Sequence, residues 1–532
     1  LRLFCEQGED QITKNDFTQE IFMNRIKKIT LSLVVLLTIV GLVGGIMIPT
    51  PASAASVQPQ LIELAVQMPD KVISVIAQKM DTTQRAEKMV IALGGTVTKD
   101  LHIINAFAAE MPAGEVPKLA ASGTVRWVSL DGALERAAKP TPKTEDIPEE
   151  PSPGLPPNFY LDTMNVREVW DMGFHGEGIG VAVIDSGISM DRDFSPVIGK
   201  PKSRIVWQMS FNDNSFKTAD ATGHGTHVAG IIGGNGTASD GYYRGVAPKV
   251  NLVNLKISDE NGMANESDAV AALQWVFDNK DNYNIRVVNL SVQSSTEITY
   301  HQSPMDAAAE ILWFNGVVVV VAAGNTDPQG LYNPTLAAPA NDPFLISVGA
   351  STENGTDKIE DDVWADFSAR GTTQDGYFKP EIYAPGKDII SVLSDSSRWD
   401  LDYPEKVVLP EEYIRLSGTS MSAPMVTGAV ALLLQAEPDL TPDQVKYRLV
   451  NASASIQGYP YLDVHVALTT YTTENANTGL TASQLLWTGE EPITWESVAW
   501  NSVAWNSVAW NSVAWNSVAW NSVAWNSVAW ND

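Results

Sequence analysis

The pattern of apolar and polar positions divides the chain into segments of different character. Residues 70–137 read as a small α+β unit. Within it, residues 71–77, 96–98, 106–110 and 125–130 have the short apolar or alternating runs of strands. Residues 82–93 and 115–121 carry helical spacing, the first halted by Gly94-Gly95. From residue 158 to about 470 the pattern changes. Nearly continuous apolar runs at 180–184, 251–256, 286–290, 317–322 and 345–349 predict buried strands, and helical spacing at 227–232, 267–277 and 305–314 separates them. Such alternation predicts an α/β domain: a doubly wound, mostly parallel sheet with helices on both faces. Two later helices are predicted at 420–435 and 441–450. The second opens with Thr441-Pro442, an N-cap followed by proline at the first helical position.

The remaining segments are of other kinds. Residues 139–157 hold seven prolines in nineteen positions, with Glu145, Asp146, Glu149 and Glu150 among them. The stretch 138–157 is therefore read as an extended, solvated linker. At the amino end Met23 precedes the basic Asn24-Arg25-Ile26-Lys27-Lys28, an apolar run over 31–48 and the small-residue site Ala52-Ser53-Ala54. Residues 23–54 thus read as a secretory signal peptide, with an uncleaved membrane anchor as the competing reading. Residues 1–22 carry no fold argument. From Trp495 a Trp-Asn-Ser-Val-Ala unit recurs with period five through residues 495–532. A period of five puts no continuous apolar face on a strand or a helix. The tail is either a low-complexity repeat, a stacking surface for cell-envelope glycan or self-association, or a short β-solenoid.

Composition narrows the possibilities. The 532 residues are 44% apolar and 18% charged, a globular balance. With 35 Lys+Arg against 63 Asp+Glu, the formal net charge is -28, which repels phosphate and argues against a nucleic-acid partner. The single cysteine, Cys5, lies upstream of Met23, so a disulfide framework, a four-cysteine zinc site and a cysteine nucleophile are excluded.

Three motifs carry chemistry. Val183-Ile184-Asp185-Ser186-Gly187 ends a buried strand with an acid. Gly223-His224-Gly225-Thr226-His227 places a histidine at a helix start. Ser417-Gly418-Thr419-Ser420-Met421-Ser422 places a serine at the start of an apolar helix. Alone, Asp185 reads equally as a turn cap, Ser420 as an ordinary helix start, and His224 with His227 as a pair of metal ligands. The metal reading lacks a glutamate beside the first histidine, so it departs from the zinc-protease pattern. Together the motifs fit nucleophilic catalysis at the carboxyl edge of an α/β sheet. A serine hydroxyl needs an adjacent imidazole to take its proton, and a carboxylate fixes the tautomer of that imidazole. A helix start aims its dipole and free N–H groups at a developing oxyanion. The run 317–322 is followed by Ala323-Gly324-Asn325, whose amide is either an oxyanion donor or a turn residue.

The order Asp, His, Ser distinguishes the subtilisin arrangement from those of chymotrypsin and the α/β-hydrolases. With VIDSG, GHGTHVAG, VVNLS, AAGN and GTSMSAP in sequence, residues 158–470 resemble the catalytic domain of the subtilisin-family (subtilase) serine proteases. Residues 70–137 resemble the subtilase inhibitor propeptide. The resemblance implies a subtilisin-like fold, a triad of Asp185, His224 and Ser420, an oxyanion donor in Asn325, and a structural role for His227. It implies that an extended substrate lies between Gly262-Met263-Ala264 and Ser291-Val292-Gln293. The family usually has Ser-Leu-Gly at the second segment, so Gln293 adds a side chain at the P1 pocket and the family's P1 preference is not carried over. Asp327 is a nearby acid that would suit a basic P1 residue or simply be a solvated loop residue.

The resemblance also implies a zymogen whose propeptide assists folding and then inhibits, with autocleavage near Ala137-Ala138. It implies structural calcium (Ca2+), for which Asp193 and Asn235, in the loop 235–241, are the candidate ligands. An ordinary surface loop is the other reading there. The expected protein is a monomeric secreted serine endopeptidase, extracellular or associated with the cell surface. Its expected partners are protein or peptide substrates, its own propeptide as inhibitor, no nucleic acid, and the cell envelope through the tail. The alternative is an envelope-associated binding protein acting through its Trp-rich repeat.

Overall fold

A computed structural model of the chain describes residues 56–136, 155–195, 203–326, 336–409 and 412–487. The leader at 23–54, Ala137-Ala138, most of the linker 138–157, Asp327 and the repeat tail 495–532 lie outside the described residues.

Residues 56–130 carry a five-stranded sheet. Its strands lie in the order Ser56–Val57, Val125–Leu130, Val72–Lys79, Ala106–Pro112, Thr96–Leu101. All neighbours are antiparallel except the first pair. Helices Pro59–Gln67, Arg85–Ala92 and Val116–Ala121 close a small apolar core with Val75, Ala77, Phe107 and Val128. The first helix, opened by Pro59 at its N1 position, was not apparent in the apolar pattern.

The larger part is built on a second, mostly parallel sheet. Its spatial order runs Tyr459–Tyr461, Ile382–Pro385, Ile346–Thr352, Val318–Ala322, Ile285–Leu290, Gly180–Asp185, Asn251–Lys256, Ile205–Ser210. A hairpin strand, Ala454–Ile456, and the short Val363–Trp364 add the antiparallel pairs. Every side chain of Gly180–Asp185 and Val318–Ala322 is buried, as expected of strands covered on both faces. The edge strand Ile205–Ser210 is mostly exposed, which explains why its pattern did not read as a strand. Helices His224–Gly233 and Thr419–Ala436 pack together on the sheet, and Glu266–Tyr283 pairs with Pro304–Phe314 against the same strands. The expected doubly wound architecture is thus present.

Gly180–Asp185 lies between Asn251–Lys256 and Ile285–Leu290, the point where the strand order reverses. In open α/β sheets, ligand sites form at the carboxyl ends of strands beside such a reversal. Asp185 is the last residue of that strand.

Candidate active site

The histidine helix reaches the aspartate because glycine permits it. A Cβ on Gly225 would lie 2.3 Å from the Gly187 carbonyl oxygen and 3.1 Å from Asp185 Oδ1. With no side chain there, the helix start sits directly on the strand end. His224 Nδ1 then lies 2.7 Å from Asp185 Oδ1, both residues 1% exposed. The carboxylate can only accept at this contact, so it selects the Nδ1–H tautomer and leaves Nε2 as the basic nitrogen. Asp185 Oδ1 also accepts from the Ser186 N–H at 2.7 Å. His224 Nε2 is buried and has no hydrogen-bond partner.

Asp220 fixes this helix start, a role the sequence reading missed. Its Oδ1 accepts from Ser186 Oγ (2.8 Å), Thr222 Oγ1 (3.0 Å), Thr222 N (3.1 Å) and Gly223 N (2.8 Å), and its Oδ2 from Thr226 N (2.8 Å). Those N–H groups belong to a turn and a helix start that have no helical acceptors of their own. The visible signal was an acid two residues before a threonine, the spacing of an Asx turn. His227 is fully buried. Its Nε2 lies 3.2 Å from the Ile389 carbonyl and 3.1 Å from that of Ile414. Burial holds its pKa down at about 3, so it stays neutral and ties the helix to two neighbouring strands.

Ser420 is the second residue of helix Thr419–Ala436 and is fully buried. Its Oγ donates to the Ser291 carbonyl at 3.3 Å. Asn325 follows strand Val318–Ala322, and its Oδ1 accepts from Thr419 N (3.0 Å) and Thr419 Oγ1 (3.1 Å). The amide is thereby oriented, with its NH2 as the donating end. Thr419 Oγ1 accepts in turn from Gly324 N at 3.1 Å. One threonine joins the serine helix to the asparagine turn.

A groove beside these residues is occupied by the chain itself. Leu134–Arg136 pairs antiparallel with Val292–Ser294, in the register Leu134 to Ser294, Glu135 to Gln293 and Arg136 to Val292. On its other side the Leu134 N–H donates to the Ala264 carbonyl at 2.8 Å, and Ala133 bridges Asn265. Ala264 and Val292 therefore flank an extended peptide. Gly262 and Met263 continue the first segment, with Met263 exposed. Ser291 precedes the paired strand and receives the Ser420 hydroxyl.

The Asp193–Asn235 region does not fit a bound divalent cation. Asp193 Oδ1 accepts from Ala238 N at 2.8 Å and Oδ2 from Tyr413 OH at 2.6 Å. Asn235 Oδ1 accepts from Thr237 N (2.9 Å) and Thr237 Oγ1 (2.6 Å). Calcium needs six to eight oxygens turned inward, whereas both Asp193 oxygens and the Asn235 amide oxygen are turned to protein donors. The buried guanidinium of Arg204 also holds the Asp193, Gly233 and Val250 carbonyls at 2.6, 2.5 and 3.1 Å. Among the described residues, no group of three or more His, Cys, Asp or Glu side chains is placed to hold a metal.

A model of the subtilase family matches residues 176–483. Serine protease AprX of Bacillus subtilis is 37% identical over 284 residues, which are 52% of this chain and 62% of AprX. Subtilisin E of the same organism is 28% identical over 377 residues, 70% of this chain and 82% of that protein. Among solved structures, fervidolysin from Fervidobacterium pennivorans is similar with a TM-score of 0.58 at 24% identity, covering 78% of this chain and 63% of that one; this likeness speaks to the fold. The chain thus spans less than two thirds of AprX and of fervidolysin.

Proposed function

The chain belongs to the subtilase family of serine proteases, and from that premise we propose that it is a secreted serine endopeptidase using Asp185, His224 and Ser420, with Asn325 as oxyanion donor. The observation that carries this reading is the buried 2.7 Å contact of Asp185 with His224, whose Nε2 is left without a partner.

Asp185 holds Nδ1–H and stabilises the imidazolium once it forms. Ser420 Oγ donates to Ser291 O in the resting arrangement. Rotation about the serine Cα–Cβ bond redirects the proton to His224 Nε2 as a peptide enters. Oγ then attacks the scissile carbonyl carbon. The oxyanion meets the Asn325 amide and the start of helix Thr419–Ala436. The imidazolium passes the proton to the leaving amine, and water, deprotonated by the same histidine, hydrolyses the acyl-enzyme.

The N-terminal unit acts in this reading as an inhibitor removed by autocleavage near Ala137-Ala138. Its support is the antiparallel seating of Leu134–Arg136 on Val292–Ser294, the way a peptide adds a strand to an exposed edge. Export rests on the leader pattern at 23–54, and contact of the Trp-rich tail with the cell envelope on its stacking residues. Structural calcium is common among subtilases, but the donors around Asp193 and Asn235 are already satisfied, so no step is assigned to it. The test is processing and peptide hydrolysis by wild type, Ser420→Ala and His224→Ala. The reading expects both variants to remain unprocessed and inactive. Processing of Ser420→Ala at the wild-type bond, with no other protease present, contradicts it.

A further inference from the structure

The groove contains a side chain where a peptide-binding edge would be expected to have open space. Gln293 occupies the middle of Val292–Ser294, and its amide reaches across to Gly324. A Cβ placed on Gly324 would lie 2.0 Å from Gln293 Oε1 and 3.1 Å from its Cδ. Gln293 therefore rests on the bare Cα of Gly324, the residue before Asn325. It spans the gap between the strand that pairs with peptide and the turn that carries the oxyanion amide. Gly324 has φ +99, a conformation that itself favours glycine. The two residues thus fit one another.

The register shows which peptide residue meets this obstruction. A peptide seated as Leu134–Arg136 is seated puts one residue opposite Gln293 and the next opposite Val292. The residue after that falls opposite Ser291, whose carbonyl accepts from Ser420 Oγ, so it carries the bond to be cut. Side chains alternate along a strand, and directly opposed residues share a face. The residue opposite Ser291 therefore projects on the same face as Gln293 and is its diagonal neighbour. Gln293 Oε1 is buried and lacks a hydrogen-bond partner.

We propose that Gln293, packed on Gly324, closes the P1 pocket and restricts cleavage to small P1 residues such as alanine and serine. The inference rests on the protease reading above and adds its specificity. A glutamine side chain fills the volume that leucine, phenylalanine or lysine at P1 would require. Steric exclusion of a few methylenes from a packed pocket changes kcat/KM by about tenfold or more.

The experiment uses the protein expressed as the full chain and allowed to mature, with a set of peptide p-nitroanilides differing only at P1: Ala, Ser, Leu, Phe and Lys. Wild type, Gln293→Gly and Gln293→Ser are compared, each normalised to the fraction of serine titrated by a fluorophosphonate. The expected result is that wild type favours Ala over Phe by about tenfold or more, and that both variants raise the Phe-to-Ala ratio by about tenfold or more, Gly most. A titratable wild type that cleaves Phe as well as Ala, or variants with an unchanged ratio, overturns the pocket proposal alone. Absence of any titratable serine in folded wild type overturns the protease reading, and the pocket with it.

Discussion

Pro424 stands one helical turn after Ser420, and its missing N–H leaves the Ser420 carbonyl free to accept from Ser291 Oγ at 3.3 Å. A proline inside a helix ordinarily costs stability because the carbonyl four residues earlier loses its donor. Here Ser291 supplies that donor. Ser420 also donates through its own hydroxyl to the Ser291 carbonyl, so the two serines are linked twice. The segment that leads into the strand paired with Leu134–Arg136 and the helix that carries Ser420 are thereby held in one geometry.

Pro424→Ala restores a backbone N–H that competes with Ser291 for this carbonyl. The expected outcome is a kcat/KM lower by about tenfold with no loss of thermal stability, because misplacement of a nucleophile by a fraction of an ångström is costly. Paired kinetics and melting curves check it.

Gly225→Ala drives a methyl group into the Gly187 carbonyl and against Asp185. The helix start must withdraw, and His224 with it. Activity is expected to fall by about 10²-fold or more, while circular dichroism stays that of a folded α/β protein. Wild-type kinetics in this variant would show that the close approach is not needed.

The contact between the N-terminal unit and the larger domain is expected to weaken as pH rises. Asp131 accepts from Ser267 N (2.8 Å) and Ser267 Oγ (2.7 Å), yet burial pushes its pKa up to about 6. Glu266, bonded to Ser294 Oγ and Thr296 Oγ1, is pushed up to about 7 by burial and by the nearby Asp131. Lys99 faces the same region, paired with Asp213 and Asp268. Its pKa is raised by those partners, so it stays charged throughout. Both raised carboxyls hold protons in the assembled state that solvated carboxyls would have lost. Association is therefore strongest below their solvated range near 4 and declines as pH climbs through about 6 to 7. After processing, the unit is expected to co-elute on gel filtration at about pH 5 and bind at least about tenfold more weakly at about pH 8. The pair Asp131→Asn with Glu266→Gln is expected to flatten the dependence.

Arg204 is expected to do at the 235–241 loop what a bound cation would otherwise do. Its guanidinium draws three backbone carbonyls together, and burial lowers its pKa only to about 10, so it remains charged. Amide exchange over 235–241 is expected to be the same in calcium and in chelator, and faster in Arg204→Met. Protection that appears only with calcium would contradict this.

The elements legible in the sequence were those with strong local signals. The buried strands ending at Asp185 and Ala322 read as apolar runs. Thr441 caps helix Pro442–Asn451 as its sequence suggests, with Gln444 completing the box. Asp185, His224 and Ser420 stood out because each sits at an element end within a distinctive motif. Asp220, Gly225 and Arg204 did not, because an acid, a glycine and an arginine acquire meaning only when distant segments meet. The exposed edge strand Ile205–Ser210 lacks the buried run that marked its neighbours. The loop at 235–241 has the composition of a calcium loop, but composition does not reveal that Tyr413, from far along the chain, already occupies the Asp193 carboxylate.

The most direct test of the central claim is labelling of the processed protein with a fluorophosphonate, followed by peptide mapping, with His224→Ala as control. Label is expected on Ser420 in wild type and is expected to be lost in the variant. A folded, processed wild type that takes no label, or takes it equally without His224, would show that the serine is not activated by this histidine.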